Sequence, residues 1–130
     1  MTDSPKISDA EWAIMKQLWH HHPQSANQIA EYLCKQNNWK DKTVKTLISR
    51  LLAKQVIGFT KKGRQYMYFP LIEHSKCAQA ESRSFLRRVF DGTVKPMLAT
   101  LLENEKLSDK EIEELKAILE NKSRQNNGNT

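Results

Sequence analysis

Lys42, Thr43, Lys45, Thr46, Ser49 and Arg50 crowd cations and small hydroxyls into nine residues, and Lys61, Lys62 and Arg64 follow around a glycine. The chemistry open to such a set is recognition of a polyanion. Ammonium and guanidinium groups neutralise phosphates, while short hydroxyls exchange hydrogen bonds with base edges without holding the backbone away. Covalent chemistry has no comparable signal. The chain has no Ser-His-Asp order, no HExxH and no phosphate-cradling glycine loop, with only four glycines in all. Glu111, Glu113 and Glu114 suit the start of a helix better than acid–base work. Consecutive histidines such as His20, His21 and His22 splay in different directions, and His74 is distant, so no metal site is expected. Cys34 and Cys77 match no metal-binding spacing and are expected to be buried or idle thiols. Neither an enzyme nor a cofactor is expected.

The basic residues need elements to hold them. Ser8-Asp9-Ala10-Glu11 is a capping box that starts a helix, in which Trp12, Met15, Leu18 and Trp19 follow helical spacing until the His20–Pro23 run. Ser25-Ala26-Asn27-Gln28 repeats the logic for a short helix over 26–35 that buries Ile29, Ala30 and Leu33. A third helix is predicted over 41–54, with Val44, Leu47, Ile48, Leu51 and Leu52 on one stripe. At about 100° per residue its opposite side centres on Lys42, Thr46 and Ser49, flanked by Lys45 and Arg50, with no acid expected there. The period then shortens. Residues 56–60 and 65–69 are β-branched or aromatic runs, and Lys61-Lys62-Gly63-Arg64 supplies a hairpin turn with a basic tip. Trp39 is read as a plug in the core below the third helix.

Three short helices followed by a hairpin is the order of a winged helix-turn-helix, whose third helix buries one face and presents the other to the DNA major groove. The charge distribution points the same way. Residues 1–70 carry eleven Lys and Arg against five acids, giving +6, whereas residues 71–130 carry ten of each and sum to zero. All excess positive charge therefore lies in the half expected to meet phosphate. The live alternative is a protein-interaction module, or a general polyanion binder without operator specificity.

Beyond Pro70 the pattern is helical again. A segment over 73–90 carries Phe85, Leu86, Val89 and Phe90, and Asp91-Gly92 breaks it. A second carries Met97, Leu98, Leu101 and Leu102, and a third starts at the capping box Ser108–Glu111 and carries Ile112, Leu115, Ile118 and Leu119. These helices bury too little alone to form a core, so they are expected to pair with a second copy around a two-fold axis, as a palindromic operator requires. The expected organisation is mainly α with a small β-hairpin: a DNA-binding domain over 1–72, a helical dimerisation domain over 73–121 and a disordered tail over 122–130. The first residues lead into no signal peptide and no run approaches a membrane span, so a cytoplasmic location is expected.

The residues also resemble a known family, the penicillinase-repressor or copper-transport-repressor group (BlaI/MecI/CopY). The similarity lies in Ile7-Ser8-Asp9-Ala10-Glu11-Trp12 with Ile14-Met15 and Leu18-Trp19, in Trp39, and in Thr43-Val44-Lys45-Thr46-Leu47-Ile48 with Ser49-Arg50-Leu51. Gly63-Arg64 with Tyr66, Tyr68 and Pro70 completes it. The resemblance implies a dimeric repressor on a palindromic operator, released by an inducing signal, with Lys42, Thr43, Thr46 and Arg50 at or near base edges and phosphates. It also implies a protease as inactivating partner in the members that answer to β-lactams. Those are cut at an Asn-Phe bond, and the matching position reads Thr100-Leu101. The cysteine-rich tail of the copper-sensing members is missing here, where the sequence runs Lys122-Ser-Arg-Gln-Asn-Asn-Gly-Asn-Thr.

Overall fold

The computed structural model describes residues 6–128. Helix α1 (Asp9–His20) is followed by a short strand β1 (Gln24–Ser25), helices α2 (Ala26–Asn37) and α3 (Asp41–Ala53), and strands β2 (Ile57–Lys62) and β3 (Gln65–Pro70). Helices α4 (His74–Phe90), α5 (Val94–Asn104) and α6 (Asp109–Gly128) complete the chain. It divides into two compact units, residues 1–84 and 85–130.

In the first unit the capping boxes form as their residue types dictate. The Ser8 hydroxyl accepts from the Glu11 amide at 3.2 Å while the Glu11 carboxylate accepts from the Ser8 amide at 2.8 Å. Ser25 and Gln28 make the same pair of bonds at the head of α2. Both helices therefore start where an orphan donor can be satisfied twice over. Helices α1, α2 and α3 then bury one stripe each, contributing Ile14, Met15, Leu18, Ile29, Ala30, Leu33, Val44, Leu47, Ile48 and Leu51 to a single core with Ile7, Val56, Ile57, Tyr68 and Cys77. Trp12, Trp19 and Trp39 pack against its edge.

The sheet has three antiparallel strands in the order β1-β3-β2, with Gln24 opposite Tyr68 and Phe59 opposite Tyr68 on its other side. The sequence pattern anticipated the hairpin and not β1, a two-residue strand of buried polar residues, Gln24 and Ser25, that shows no alternation. Gln24 is satisfied through its side-chain amide, which donates to the carbonyls of His21 at 2.6 Å and Gln17 at 3.3 Å. Lys62 pairs with Gln65, leaving a two-residue turn in which Gly63 has φ of 64°. A glycine in that position lets the turn follow the right-handed twist of the strands.

The join between the units is not a loop. The indole N–H of Trp19 donates to the Ile72 carbonyl at 2.9 Å, and the His74 ring stands edge-on to Trp19 at 4.9 Å. Cys77, in the second turn of α4, is buried in the first unit's core. The two compact units meet between residues 84 and 85, inside α4.

In the second unit α4 ends at Asp91 and Gly92, both at positive φ, with the Gly92 amide donating to the Leu86 carbonyl at 3.0 Å. Ser108 and Glu111 form a third capping box at the head of α6. No residue of α5 or α6 is buried. Helix α6 runs on to Gly128, through most of the segment expected to be a tail. The segment 122–128 lacks an apolar anchor but also lacks proline, and its Lys, Arg and Gln propagate a helix readily once started. Residues 1–5 of the first expected domain and 129–130 of the expected tail lie outside the described residues.

Candidate nucleic-acid interface

Helix α3 divides its surface as an amphipathic helix must. Val44, Leu47, Ile48 and Leu51 are buried, whereas Lys42, Thr43, Lys45, Thr46, Ser49 and Arg50 are all exposed. The structure thus brings the six predicted residues of the helix onto its outer side. Lys61, Lys62 and Arg64 are likewise exposed on the wing, at the end of the hairpin away from the core.

Two details modify the chemistry of this face. Asp41 lies within reach of Lys45, with carboxylate and ammonium 2.9 Å apart and both side chains more than half exposed. The face therefore carries an acid, contrary to expectation, because i,i+4 spacing brings the first residue of the helix beside Lys45. An exposed pair of this kind is worth only about 0.3–0.5 kcal/mol, so Lys45 can exchange it for a phosphate at little cost. Lys42 and Arg50 make no ion pair among the described residues. The Thr46 hydroxyl donates to the Lys42 carbonyl at 2.9 Å, which commits its proton to the helix. What Thr46 offers outward is an acceptor oxygen and a methyl group.

The far end of α3 is fixed by a residue pair that helical periodicity does not reveal. Lys54, the C-cap, reaches Glu11 of α1 at 2.5 Å and the Lys6 carbonyl at 2.6 Å. The Glu11 side chain is 1% exposed. Burial pushes its carboxyl up, but hydrogen bonds from Lys54 and from the Ser8 amide and hydroxyl, with the Lys54 charge, together hold it below its ordinary value. Glu11 thus closes the cap of α1 with the same Oε1 that anchors the end of α3.

Burial raises the thiol of Cys77, and neither cysteine is in a disulfide. No cluster of three metal-ligating side chains occurs among the described residues, and no described helix is long and apolar enough to cross a membrane. Of the apolar residues expected at a protein interface, Phe85, Val89, Leu98, Leu101, Leu102, Ile112, Leu115, Ile118 and Leu119 are exposed, while Leu86, Phe90 and Met97 are half-buried. Thr100 and Leu101 lie within α5, where the Thr100 hydroxyl donates to the Pro96 carbonyl at 2.9 Å.

A trihelical core, a wing and an exposed basic α3 define a winged-helix protein of the DNA-binding repressor class. Residues 7–121 match the penicillinase repressor family, and the chain belongs to that family. It is 40% identical over 120 residues to the penicillinase repressor of Bacillus licheniformis, covering 92% of this chain and 94% of that one. Identity to the methicillin resistance regulatory protein MecI of Staphylococcus aureus strain N315 is 38% over 117 residues, covering 90% and 95%. Among solved structures, the DNA-binding domain of the repressor BlaI superposes with a TM-score of 0.53 at 37% identity, over 58% of this chain and 93% of that one. Monomeric B. licheniformis BlaI in complex with the blaP half-operator gives 0.51 at 37% identity, with the same coverage.

Proposed function

We propose that this protein is a transcriptional repressor that acts in the cytoplasm as a homodimer on a palindromic operator. In this reading α3 enters the major groove, with Lys42, Thr43, Thr46, Ser49 and Arg50 at base edges and phosphates and Lys45 on the backbone. Lys61, Lys62 and Arg64 rest on flanking phosphate. The observation that carries it is the division of α3: one stripe closes the core while the other is wholly exposed, cationic and hydroxyl-bearing, beside a basic wing. Its relative BlaI is bound to a half-operator in a solved complex, which supports the same role here.

The apolar stripes of α4, α5 and α6 from residue 85 onward are assigned to the dimer. Ten large apolar side chains among these residues are more than a third exposed, an arrangement that a second copy would relieve. Release by an inducing signal would act on this half. A protease cutting near Thr100-Leu101 would sever the apolar stripe of α5, although the bond must first leave the helix to be cut.

Binding to a duplex that the intact chain enriches from a random-sequence library tests the reading. Kd is expected to rise steeply with salt, and the change Lys42→Ala with Arg50→Ala should reduce the log–log salt slope by about two. Equal affinity for any polyanion, insensitive to those changes, would refute operator recognition in favour of a general polyanion binder. Sedimentation of Leu101→Asp with Leu115→Asp should show the monomer, and an unchanged dimer would refute the assignment of α5 and α6.

A further inference from the structure

The wing carries more than its cations. Phe59 and Tyr66 are 49% and 47% exposed, and their rings meet edge to face with centroids 4.8 Å apart. Strand pleating explains why they share a side. Ile57, Phe59 and Lys61 point to one face of β2, and their register partners Pro70, Tyr68 and Tyr66 point to the same face of β3. Near the base of the hairpin this face is core, where Ile57 and Tyr68 are buried. Toward the tip it outruns the core, and there it presents two aromatic rings, with Lys61 as the register partner of Tyr66.

Scattered exposed apolar residues need no explanation, but two touching aromatics within a cationic arm do. Residues 57–70 contain Lys61, Lys62 and Arg64 and no acid. The local field therefore selects a polyanion over a protein of mixed charge. A duplex offers phosphates to the cations, and between successive phosphates it offers the C–H edges of deoxyribose, an apolar surface that ring faces can cover.

We propose that Phe59 and Tyr66 form a sugar-contacting pair, seating the wing on the deoxyriboses that flank the α3 site while Lys61, Lys62 and Arg64 hold the adjoining phosphates. The inference rests on the operator-binding reading above and adds to it a contact that does not depend on charge. Association returns only a fraction of the area transfer that covering both rings would give, so the contact is worth about tenfold in affinity.

Hydroxyl-radical footprinting of the full chain on its enriched duplex tests this, because the radicals attack deoxyribose C–H groups directly. With Phe59→Ser and Tyr66→Ser together, sugars at the outer ends of the footprint should become cleavable at saturating protein while those at its centre stay protected. Kd should rise about tenfold with the salt slope unchanged, since no phosphate contact is removed. Tryptophan fluorescence confirms that the variant is folded. Should it melt early, Phe59→Leu, which keeps apolar volume on the hairpin but no ring face, carries the same two readouts. An unchanged footprint, a changed salt slope, or loss of self-association with the outer sugars still protected would each overturn the proposal. Failure of the unmodified chain to give any footprint would instead overturn operator binding itself.

Discussion

Glu11 and Gln28 occupy the same position in two capping boxes, yet exchanging their types should have very different consequences. Gln28 has only the cap to serve, and its carbonyl accepts from the Ser25 amide at 2.8 Å. Glu11 accepts equally from Ser8, but the same oxygen faces Lys54 at 2.5 Å, and its second oxygen is buried with no partner. Glu11→Gln keeps the cap acceptor and removes the charge opposing Lys54. Breaking a buried pair by neutralising one partner costs about 3–5 kcal/mol. The Lys54 side chain is 33% exposed and keeps the Lys6 carbonyl, so the cost falls below that range and about 2–3 kcal/mol is expected. Gln28→Glu should lie within about 0.5 kcal/mol of the parent, aided slightly by the helix dipole. Urea unfolding followed by tryptophan fluorescence reads this unit alone, because Trp12, Trp19 and Trp39 all lie within it.

The pH dependence gives a second check. The Glu11 carboxyl is held below its ordinary value of 4.5, so its ionised form is the one the fold favours. Its contribution is therefore full above that value and is lost as pH falls through the lower folded value. The gap between parent and Glu11→Gln should persist at neutral pH and narrow on acidification below 4.5. A gap under about 0.5 kcal/mol at neutral pH, or one that stays constant in acid, would refute the anchoring role of the pair.

Trp19→Phe keeps the apolar ring but leaves the Ile72 carbonyl without its donor, and thermal denaturation should show a loss of about 1–2 kcal/mol. At the wing tip Gly63→Ala meets no atom within 4 Å, so its cost is the positive φ alone, about 1 kcal/mol. Gly58→Ala places a Cβ 3.1 Å from Phe69 and should destabilise by repacking that ring, visible as a shifted urea midpoint with Gly63→Ala as the reference.

What could be read from the sequence follows the range of the interactions involved. All three Ser-x-x-Glu/Gln boxes, the stripe of α3 and the glycine turn of the wing depend on residues within a few positions of one another, and each forms as the pattern implies. Glu11 and Lys54 are 43 residues apart, and nothing in either local pattern marks them as partners. The β1 strand is similarly defined only by the partner it finds in β3. The basic face of α3 was legible as composition, whereas the Asp41–Lys45 contact and the committed proton of Thr46 required the backbone. Helix α6 outlasts its apolar pattern because propagation requires only the absence of a breaker.

The placement of Cys77 and His74 bears on how this protein can be cut and recombined. A fragment ending at residue 72 would discard the thiol that fills the core and the imidazole set against Trp19, exposing the tryptophans at the edge of α1. A fragment ending at Ser84 keeps both. The same holds for chimeras: a graft onto a relative that joins at or beyond residue 84 carries both side chains with the core they complete. Proteases meet the same constraint. Arg83, Arg87 and Arg88 offer trypsin its bonds only after α4 unwinds, so limited digestion should open the chain first at non-helical residues, among them Lys106 between α5 and α6 and Arg64 at the wing tip.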